Sequence, residues 1–164
     1  MMETYTHRFE SPAGYLHHRP PYLLVDRVIS LTADEVVTEK QLDGDEFFLA
    51  GHFPGAPVLP GAMMQEMTTQ SGGILIAGEY NPMEDYVTSD PDHNEYALGV
   101  LVKVNKSRFR GFARPGQCLE ARVTLREKVD TLFDFTGTVS ADGKTIMQNQ
   151  FQLTNIRSSV LTGR

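Results

Sequence analysis

The chain has 164 residues, of which 40% are hydrophobic and 22% charged, and its formal net charge is −6. These values are ordinary for a globular protein and predict one domain spanning residues 1–164. The acidic balance excludes a basic nucleic-acid-binding class, and no apolar run is long enough to cross a membrane without a proline or glycine in it. The N-terminal residues do not predict a signal peptide. A single cysteine, Cys118, excludes an intramolecular disulfide, and these features together predict a cytoplasmic protein.

The first forty residues predict an arm, a short helix and a pair of strands. Residues 1–10 lack a periodic pattern, and we expect a loose N-terminal arm there. Ser11 followed by Pro12 is typical of a helix start and predicts a short helix over 13–18. Branched and aromatic residues then predict two strands, over 22–31 and 35–42.

Residues 47–78 form an apolar stretch with one formal charge, at Glu66, and one other group that titrates near neutral pH, His52. The prolines at positions 54, 57 and 60 exclude a regular helix before Gly61. Helix-forming residues follow, and their apolar side chains point in all directions rather than along one face. The pattern therefore predicts a helix that begins at Gly61 and is buried on all sides.

The second half of the chain predicts a polar loop followed by strands. Residues 79–96 form a long acidic segment with two X-Pro pairs, and we expect a surface loop there. Apolar or alternating runs then predict strands at 98–104 with an extension to 112, 118–127, 133–139 and 145–155, with a tight turn at Asp142-Gly143. Two strands, one buried helix and an antiparallel meander predict an α+β fold in which a curved sheet wraps around one long central helix.

Charge is segregated along the second half. Between residues 77 and 102 there are six acidic residues and no lysine or arginine, so the other 15 acids balance the 15 bases of the chain. Five basic residues follow directly: Lys103, Lys106, Arg108, Arg110 and Arg114. They form either solvated strand faces or a docking surface for an anionic partner. Asp90, Asp92, His93 and Glu95 carry metal-ligating groups, but because they lie in a polar loop we predict no metal site.

His52 and Glu66 together suit proton transfer. An imidazole titrates near neutral pH and takes a proton from a weakly acidic carbon. A buried carboxyl has a raised pKa and donates a proton to a poor leaving group such as a hydroxyl. The N–H of Gly61, at the helix N-terminus, can donate a hydrogen bond to the oxygen of a carbonyl group and so polarise it. These are the parts needed to eliminate water beside a carbonyl, although a structural histidine and an ion-paired or solvent-facing glutamate would leave the same pattern.

Three segments of the chain resemble one enzyme family. Residues 51–61, GHFPGAPVLPG, closely resemble the GHFPGxPVxPG motif of the β-hydroxyacyl-acyl-carrier-protein dehydratases of type II fatty-acid synthesis, the FabZ and FabA types. His18-Arg19 and residues 21–27, PYLLVDR, resemble the N-terminal HRYPFLLVDR of that family. The region KxRF…PGD of the family is matched by Lys106, Arg108-Phe109 and Pro115-Gly116.

The resemblance implies a hot-dog fold and the cofactor-free dehydration of (3R)-3-hydroxyacyl thioesters to trans-2-enoyl thioesters in fatty-acid biosynthesis. It implies that His52 is the catalytic histidine and Glu66 the catalytic carboxylate, and glutamate rather than aspartate points to the FabZ type. The substrate-binding residues it implies are Gly61, Phe53, Pro60 and Gln70.

The resemblance also implies two partners. Each active site of the family takes its histidine from one subunit and its acid from the other, so we expect a homodimer with shared sites, and a trimer of dimers is left open. The other partner is an acyl carrier protein with a phosphopantetheine-linked 3-hydroxyacyl chain, docked on the five basic residues. No nucleic acid or membrane partner is implied.

Some residues depart from the family pattern. Ala56 stands where an arginine is usual, Pro20 replaces a tyrosine, Met67-Thr68-Thr69 replaces a more apolar triplet, and the loop over 79–96 is longer than is typical. These departures leave open the acyl chain length, the choice between carrier protein and coenzyme A, and the choice between primary fatty-acid synthesis and a specialised lipid or polyketide pathway. A hot-dog acyl thioesterase and a non-catalytic acyl-binding module are the alternatives from other classes.

Overall fold

The computed structural model describes residues 2–164, which form three helices and six strands. In chain order these are α1 (Pro12–Tyr15), β1 (Arg27–Leu31), β2 (Glu35–Gln41), α2 (Gly61–Glu79), β3 (Tyr96–Phe109), β4 (Cys118–Val129), β5 (Leu132–Ala141), β6 (Lys144–Arg157) and α3 (Ser158–Thr162). The strands form one antiparallel sheet in the order β1-β2-β4-β5-β6-β3. Helix α2 packs against five of them, β2 to β6. A sheet can contact one helix through five strands only if the sheet curves around the helix. The predicted α+β architecture, a curved sheet around one central helix, is therefore confirmed.

In the middle strands of the sheet, the alternation of apolar and polar residues determines which side chains are buried against α2. In β4, Leu119, Ala121 and Val123 are fully buried, while the residues between them are exposed. β5 alternates in the same way between buried and partly buried positions over all ten residues. The connection from β5 to β6 uses Asp142 and Gly143, whose φ angles of 48° and 81° are those of a tight hairpin turn. The predicted meander is confirmed for β4, β5 and β6, whereas β3 pairs with β6 and not with β4, the strand that follows it in the chain.

Helix α2 begins at Gly61, as the prolines before it predict, and all its residues from Met67 to Gly78 are buried. Glycines allow the sheet to approach it closely. A methyl group on Gly72 would lie 2.9 Å from the Leu153 side chain, and one on Gly99 of β3 would lie 2.9 Å from the Cα atom of Gly73.

Within the described residues, no helix is both long and apolar enough to cross a membrane.

Two segments predicted to be exposed are instead fastened to α2 and its surroundings. In the arm, of which residue 1 lies outside the described residues, the Tyr5 amide donates to the Asn81 carbonyl (2.7 Å) and the His7 amide to the Gly78 carbonyl (2.8 Å). The segment 79–96, which we call the acidic loop, has no helix or strand between the end of α2 at Glu79 and the start of β3 at Tyr96, but four of its side chains are buried: Asn81, Met83, Tyr86 and Asn94. The prediction of a loose arm was therefore wrong, because hydrogen bonds that leave no periodic pattern hold it in place.

The N-terminal elements are shorter than predicted. Helix α1 ends at Tyr15 rather than at residue 18, and Ser11 at its N-cap makes no side-chain capping bond. Strand β1 begins at Arg27 rather than at residue 22, because the preceding residues form a turn in which the Tyr22 amide donates to the Arg19 carbonyl (2.9 Å). The residues after that turn are apolar because they are buried, not because they belong to the sheet.

Strand β3 forms one edge of the sheet. Every residue from 101 to 110 is exposed, and the set includes four large apolar side chains: Leu101, Val102, Val104 and Phe109. An edge strand presents unpaired N–H and C=O groups, which pair readily with another chain. This edge is therefore available for pairing.

The close approach of β3 to α2 predicts the effect of one substitution. Gly99 has a φ of +69°, and an added methyl group would meet the backbone of α2. We expect Gly99→Ala to lower the free energy of unfolding by about 3 kcal/mol, from backbone strain and overpacking together. Gly116 is the matched control, because it also has a positive φ (+92°) but nothing lies within 4 Å of an added methyl group.

We expect Gly116→Ala to cost only the strain, about 1 kcal/mol. Denaturant unfolding of the two variants measures the difference. Equal losses of stability would contradict the role assigned to the Gly99 contact.

Candidate active site

Glu66 lies in the second turn of α2, with a side chain that is 17% exposed. It lines a cavity of about 400 Å³ between α2, the start of β3 and the segment that follows α1. The neighbouring Met64 and Met67 are buried in the core and fix the rotation of the helix about its axis. The carboxyl group is therefore held at a cavity wall rather than in bulk solvent.

Gln70, one helical turn after Glu66, fixes the direction of the carboxyl group. Its Nε2 donates to Glu66 Oε1 (3.0 Å) and to the Tyr22 carbonyl (2.9 Å). Its Oε1 accepts from the Leu24 amide (2.8 Å). Because both ends of this buried amide are engaged, Gln70 cannot rotate away without leaving polar groups unpaired.

Burial raises the pKa of Glu66, and hydrogen bonds from Gln70 and Tyr22 act in the opposite direction. Desolvation is the larger effect, since water is replaced by the cavity wall. Glu66 therefore keeps its proton to a higher pH than an exposed glutamate, which suits a group that donates a proton.

Two histidines that the sequence analysis did not assign to the site, His17 and His18, line the same cavity. His18 Nε2 lies 3.7 Å from Glu66 Oε1. Burial lowers the pKa of His18, and the nearby His17 and Arg19 lower it further, so the neutral ring is favoured. Its Nδ1 is buried and has no hydrogen-bond partner among residues 2–164. The His-His pair was visible in the sequence, but no periodicity or spacing connects His18 to a residue 48 positions later.

His52 lies in the turn-rich segment before α2 and is half-buried. Its Nδ1 is 2.8 Å from the carbonyl oxygen of Val58. Because a carbonyl oxygen only accepts, Nδ1 carries the proton, and in the neutral ring Nε2 keeps a free lone pair. Phe53 packs edge-on against the ring, with centroids 4.8 Å apart, and is itself 63% exposed. The local geometry therefore prepares Nε2 to accept a proton.

Within one chain, the structure does not bring His52 to Glu66. In the part of the chain that is described, no hydrogen bond or ion pair links the two, and His52 does not line the cavity of Glu66. In the sequence, Pro60 and Gly61 stand between His52 and Glu66. They lie at the start of α2, where the first helical amides have no intrahelical acceptor. Of the predicted site residues, the cavity gathers only Glu66 and Gln70.

Three of the five predicted docking residues lie together. Lys106, Arg108 and Arg110 line a second cavity, of about 250 Å³, with polar residues of β5 and β6. Lys103 is exposed on the same strand, and the Arg114 guanidinium lies 5.4 Å from the centre of the Phe112 ring. Across the described chain, none of these five cations forms an ion pair. Their positive charge is therefore not neutralised locally.

The loop residues considered as metal ligands have other partners. Asp92 pairs with Arg164, Glu95 with Arg157, and His93 with Asp85. A different acidic group, Asp43, Asp45 and Glu46, has carboxylate oxygens within 4.8 Å of one another. Glu46 accepts from the amides of Asp43 and Gly44 and pairs with Lys40, so this group is explained as the closure of a turn.

Solved structures share the fold. The dehydratase heterocomplex ApeI:P from Xenorhabdus doucetiae matches with a TM-score of 0.73 and 20% identity, over 95% of this chain and 97% of that chain. The Escherichia coli PaaI protein from the phenylacetic acid degradation operon matches with a TM-score of 0.58 and 12% identity, over 77% and 80% of the two chains. Thioesterase superfamily member 2 from mouse matches at a TM-score of 0.57 and 12% identity, over 78% and 80%. At these identities the likeness concerns the fold alone.

Sequence comparison is more specific. Residues 16–150 match the FabA-like domain. A 3-hydroxyacyl-[acyl-carrier-protein] dehydratase FabZ from Nitratidesulfovibrio vulgaris is 36% identical over 132 residues, 80% of this chain and 79% of that protein. A FabZ from an Anaeromyxobacter species is 32% identical over 137 residues, 83% of this chain and 82% of that protein. Because the domain match spans most of the chain and these relatives align over most of their own length, the chain belongs to the FabA-like family, among proteins similar to the FabZ dehydratases.

Proposed function

We propose that this protein is a hydro-lyase that removes water from 3-hydroxyacyl thioesters carried by an acyl carrier protein, giving trans-2-enoyl thioesters for fatty-acid biosynthesis. Relatives named as 3-hydroxyacyl-[acyl-carrier-protein] dehydratases support the reaction class. The observation in the structure that carries the proposal is a carboxyl of raised pKa, Glu66, placed at the wall of a largely apolar cavity. Such a group supplies the proton that a hydroxide leaving group needs.

In the proposed mechanism, Nε2 of His52 removes a proton from the carbon beside the thioester carbonyl. The electron pair of that C–H bond forms the new double bond, and the bond from the next carbon to its hydroxyl oxygen breaks. Glu66 gives its proton to the departing oxygen, which leaves as water, while the Gly61 amide donates to the thioester oxygen as charge develops there. The step changes no oxidation state of the protein and needs no redox cofactor.

The remaining predicted substrate contacts have distinct roles in this proposal. Gln70 orients Glu66 by the hydrogen bond already described. Phe53, exposed beside His52, and Pro60, at the start of α2, are proposed to shield the reacting carbons from water. Exclusion of water strengthens the interaction between Gly61 and the developing charge.

We propose that two copies of the chain build each site together. His52 and Glu66 are not in contact within one chain, so a second copy is needed to complete the pair. The edge of β3 supports this, since it exposes unpaired backbone groups and the apolar side chains Leu101, Val102 and Val104. Antiparallel pairing of two such edges makes a symmetric homodimer in which each interface residue is used twice.

The basic cavity lined by Lys106, Arg108 and Arg110 is the proposed contact for the acyl carrier protein. Guanidinium groups bind phosphate oxygens through paired, charge-assisted hydrogen bonds. The phosphate of a phosphopantetheine arm fits this chemistry, and acidic side chains of the carrier would extend the contact to Lys103 and Arg114.

The first prediction from the proposed function concerns Glu66. We expect Glu66→Gln to keep the fold and the bond to Gln70 but to lower kcat by about 10²–10⁴-fold, the usual contribution of a positioned acid. Glu79→Gln is the matched control, because Glu79 is the other carboxylate of α2 and pairs with Arg8 at the far end of the helix.

The assay follows enoyl absorbance and free thiol in the same sample of a 3-hydroxyacyl thioester. Near-normal enoyl formation by the Glu66 variant would refute its assignment as the acid. Thiol release without enoyl formation would identify a thioesterase, and binding of the acyl chain without either product would identify a binding module.

The second prediction tests the shared site. Chains carrying His52→Ala and chains carrying Glu66→Gln are each expected to be inactive. After the two are mixed and allowed to exchange subunits, each mixed dimer regains one site with both native residues, so activity returns. Absence of recovery, with subunit exchange verified by native mass spectrometry, would contradict a site built from two copies.

The third prediction uses the pKa of Glu66. The acid acts in its protonated form, so turnover falls as the pH rises through this pKa. Tyr22→Phe removes one of the hydrogen bonds that lower the pKa, while its ring still stacks on His18 at 6.0 Å. We therefore expect the basic limb of the kcat/KM profile to move to higher pH. A limb that moved to lower pH would argue against Glu66 as the proton donor.

A further inference from the structure

The cavity that Glu66 lines has a polar part and an apolar part. Glu66, Gln70 and Thr69, with His18 beside them, form the polar part. Tyr15, Leu16, Tyr86, Leu98, Val100 and Leu161 supply most of the apolar part. A cavity of this kind suits a ligand with a polar reacting group at one end and a hydrocarbon chain at the other.

Two close contacts show how the cavity is oriented along α2. A methyl group on Gly61 would lie 3.0 Å from the ring of Phe109, and one on Gly99 would lie 2.9 Å from Gly73. Helix α2 and strand β3 therefore run side by side in opposite directions. The β3 residues before Gly99 lie beyond Gly73, about 10 Å along the helix from Glu66 at 1.5 Å per residue.

The wall at this far end comes from outside the sheet and central helix. Tyr86 belongs to the acidic loop, and Leu161 belongs to α3, the short helix that follows β6. Arg157, the last residue of β6, pairs with Tyr96, the first residue of β3, so α3 starts beside the far end of the cavity. Tyr86 is placed near the same end by its bond to the Tyr15 carbonyl, since a methyl group on Gly78 of α2 would lie 3.3 Å from the Tyr15 ring. Both residues thus stand where a chain extending away from Glu66 would end.

Tyr86 offers the cavity an apolar surface. Its hydroxyl donates to the Tyr15 carbonyl (2.8 Å), so its polar atom is already satisfied, and the residue is buried. The neighbouring His17 ring stands edge-on to it at 6.1 Å, and burial lowers the pKa of His17, which favours the uncharged ring. Glu66 is the only acidic side chain among the described residues that line the cavity, and no lysine or arginine lines it.

Hydrogen bonds and ion pairs fasten this wall. In the acidic loop, Asn94 bonds both the amide and the carbonyl of Val87, next to Tyr86. The loop is tied to the C-terminal segment by the pairs Glu95–Arg157 and Asp92–Arg164, the latter at 3.0 Å. The loop and the C-terminal segment are therefore linked at these two pairs and at the Ser158 amide, which donates to the Glu95 carbonyl (3.0 Å).

We propose that Tyr86 and Leu161 form an end wall that limits the length of the acyl chain and selects a chain with an apolar end. The inference rests on the proposed dehydratase function and assigns a role to the acidic loop. Leu161 is 55% exposed, so on its side the wall is one side chain thick. A smaller residue there opens the cavity to solvent and lets a longer chain pass.

Leu161→Ala and Leu161→Trp test the wall from both directions. The substrates are 3-hydroxyacyl thioesters of increasing chain length on one carrier, and kcat/KM for enoyl formation is measured for each. We expect Leu161→Ala to raise the long-to-short ratio by about fourfold for each further methylene that is buried in the space left by the leucine side chain, with no further gain for methylenes that reach solvent. Leu161→Trp should lower the same ratio and leave the shortest substrate unaffected.

Val160→Ala is the matched control, since Val160 lies on the same helix, is 69% exposed and does not line the cavity. Tyr86→Leu tests the inner part of the wall and should also favour longer chains. If the wild type forms enoyl product but both Leu161 variants keep the chain-length profile of the Val160 variant, the end wall is refuted while the proposed function stands. If the wild type forms no enoyl product at any length, the proposed function fails and the inference fails with it.

Discussion

Burial of α2 from Met67 to Gly78 is the constraint on which the rest of the structure depends. A helix satisfies its own backbone hydrogen bonds, so it can be surrounded if its side chains are apolar or small. The sheet then has to curve around it, and glycines at positions 72 and 73 allow the strands to come within contact of the helix backbone. A carboxyl group on such a helix has few positions in which it is not buried among apolar side chains. Glu66 faces the cavity because the neighbouring Met64 and Met67 are buried in the core and Gln70 binds its carboxyl group.

The helix also carries polar residues that the core has to accommodate. Ser71 exchanges a hydrogen bond with Thr38 of β2 (2.8 Å), and Thr68 accepts one from Asn149 of β6 (2.9 Å). Asn149 also donates to Gln65 (2.8 Å). These pairs link α2 to opposite sides of the sheet and favour one rotation of the helix, since any other leaves buried polar groups unpaired. The same rotation sets the direction of Glu66, so core polarity and site geometry have a common cause.

The sequence predicted those parts of the fold that follow from a regular alternation of apolar and polar residues or from the exclusion of proline from helix interiors. The start of α2 follows from Pro60, and β4 follows from strict alternation. The fastening of the arm and of the acidic loop could not be predicted, because it depends on single bonds such as Tyr86 to the Tyr15 carbonyl, between residues far apart in the chain. For the site, the residue types at positions 52 and 66 indicated proton transfer. The approach of His18 to Glu66 gave no signal, since nothing in a sequence reports a contact across 48 positions.

Charge segregation has a different meaning in the structure than in the sequence. The acidic loop contains the negative excess of the chain, yet Asp92 and Glu95 are engaged with arginines of the C-terminal segment. Within residues 2–164 the basic residues of β3 form no ion pair, which agrees with the carrier contact proposed for them. Asp92 and Glu95 thus link the acidic loop to the segment that contains α3. The loop and α3 supply the part of the cavity wall that lies outside the sheet and α2. If the proposed end wall selects the acyl chain, a wall built from a loop and a terminal helix allows chain-length preference to vary without disturbing the residues that position Glu66.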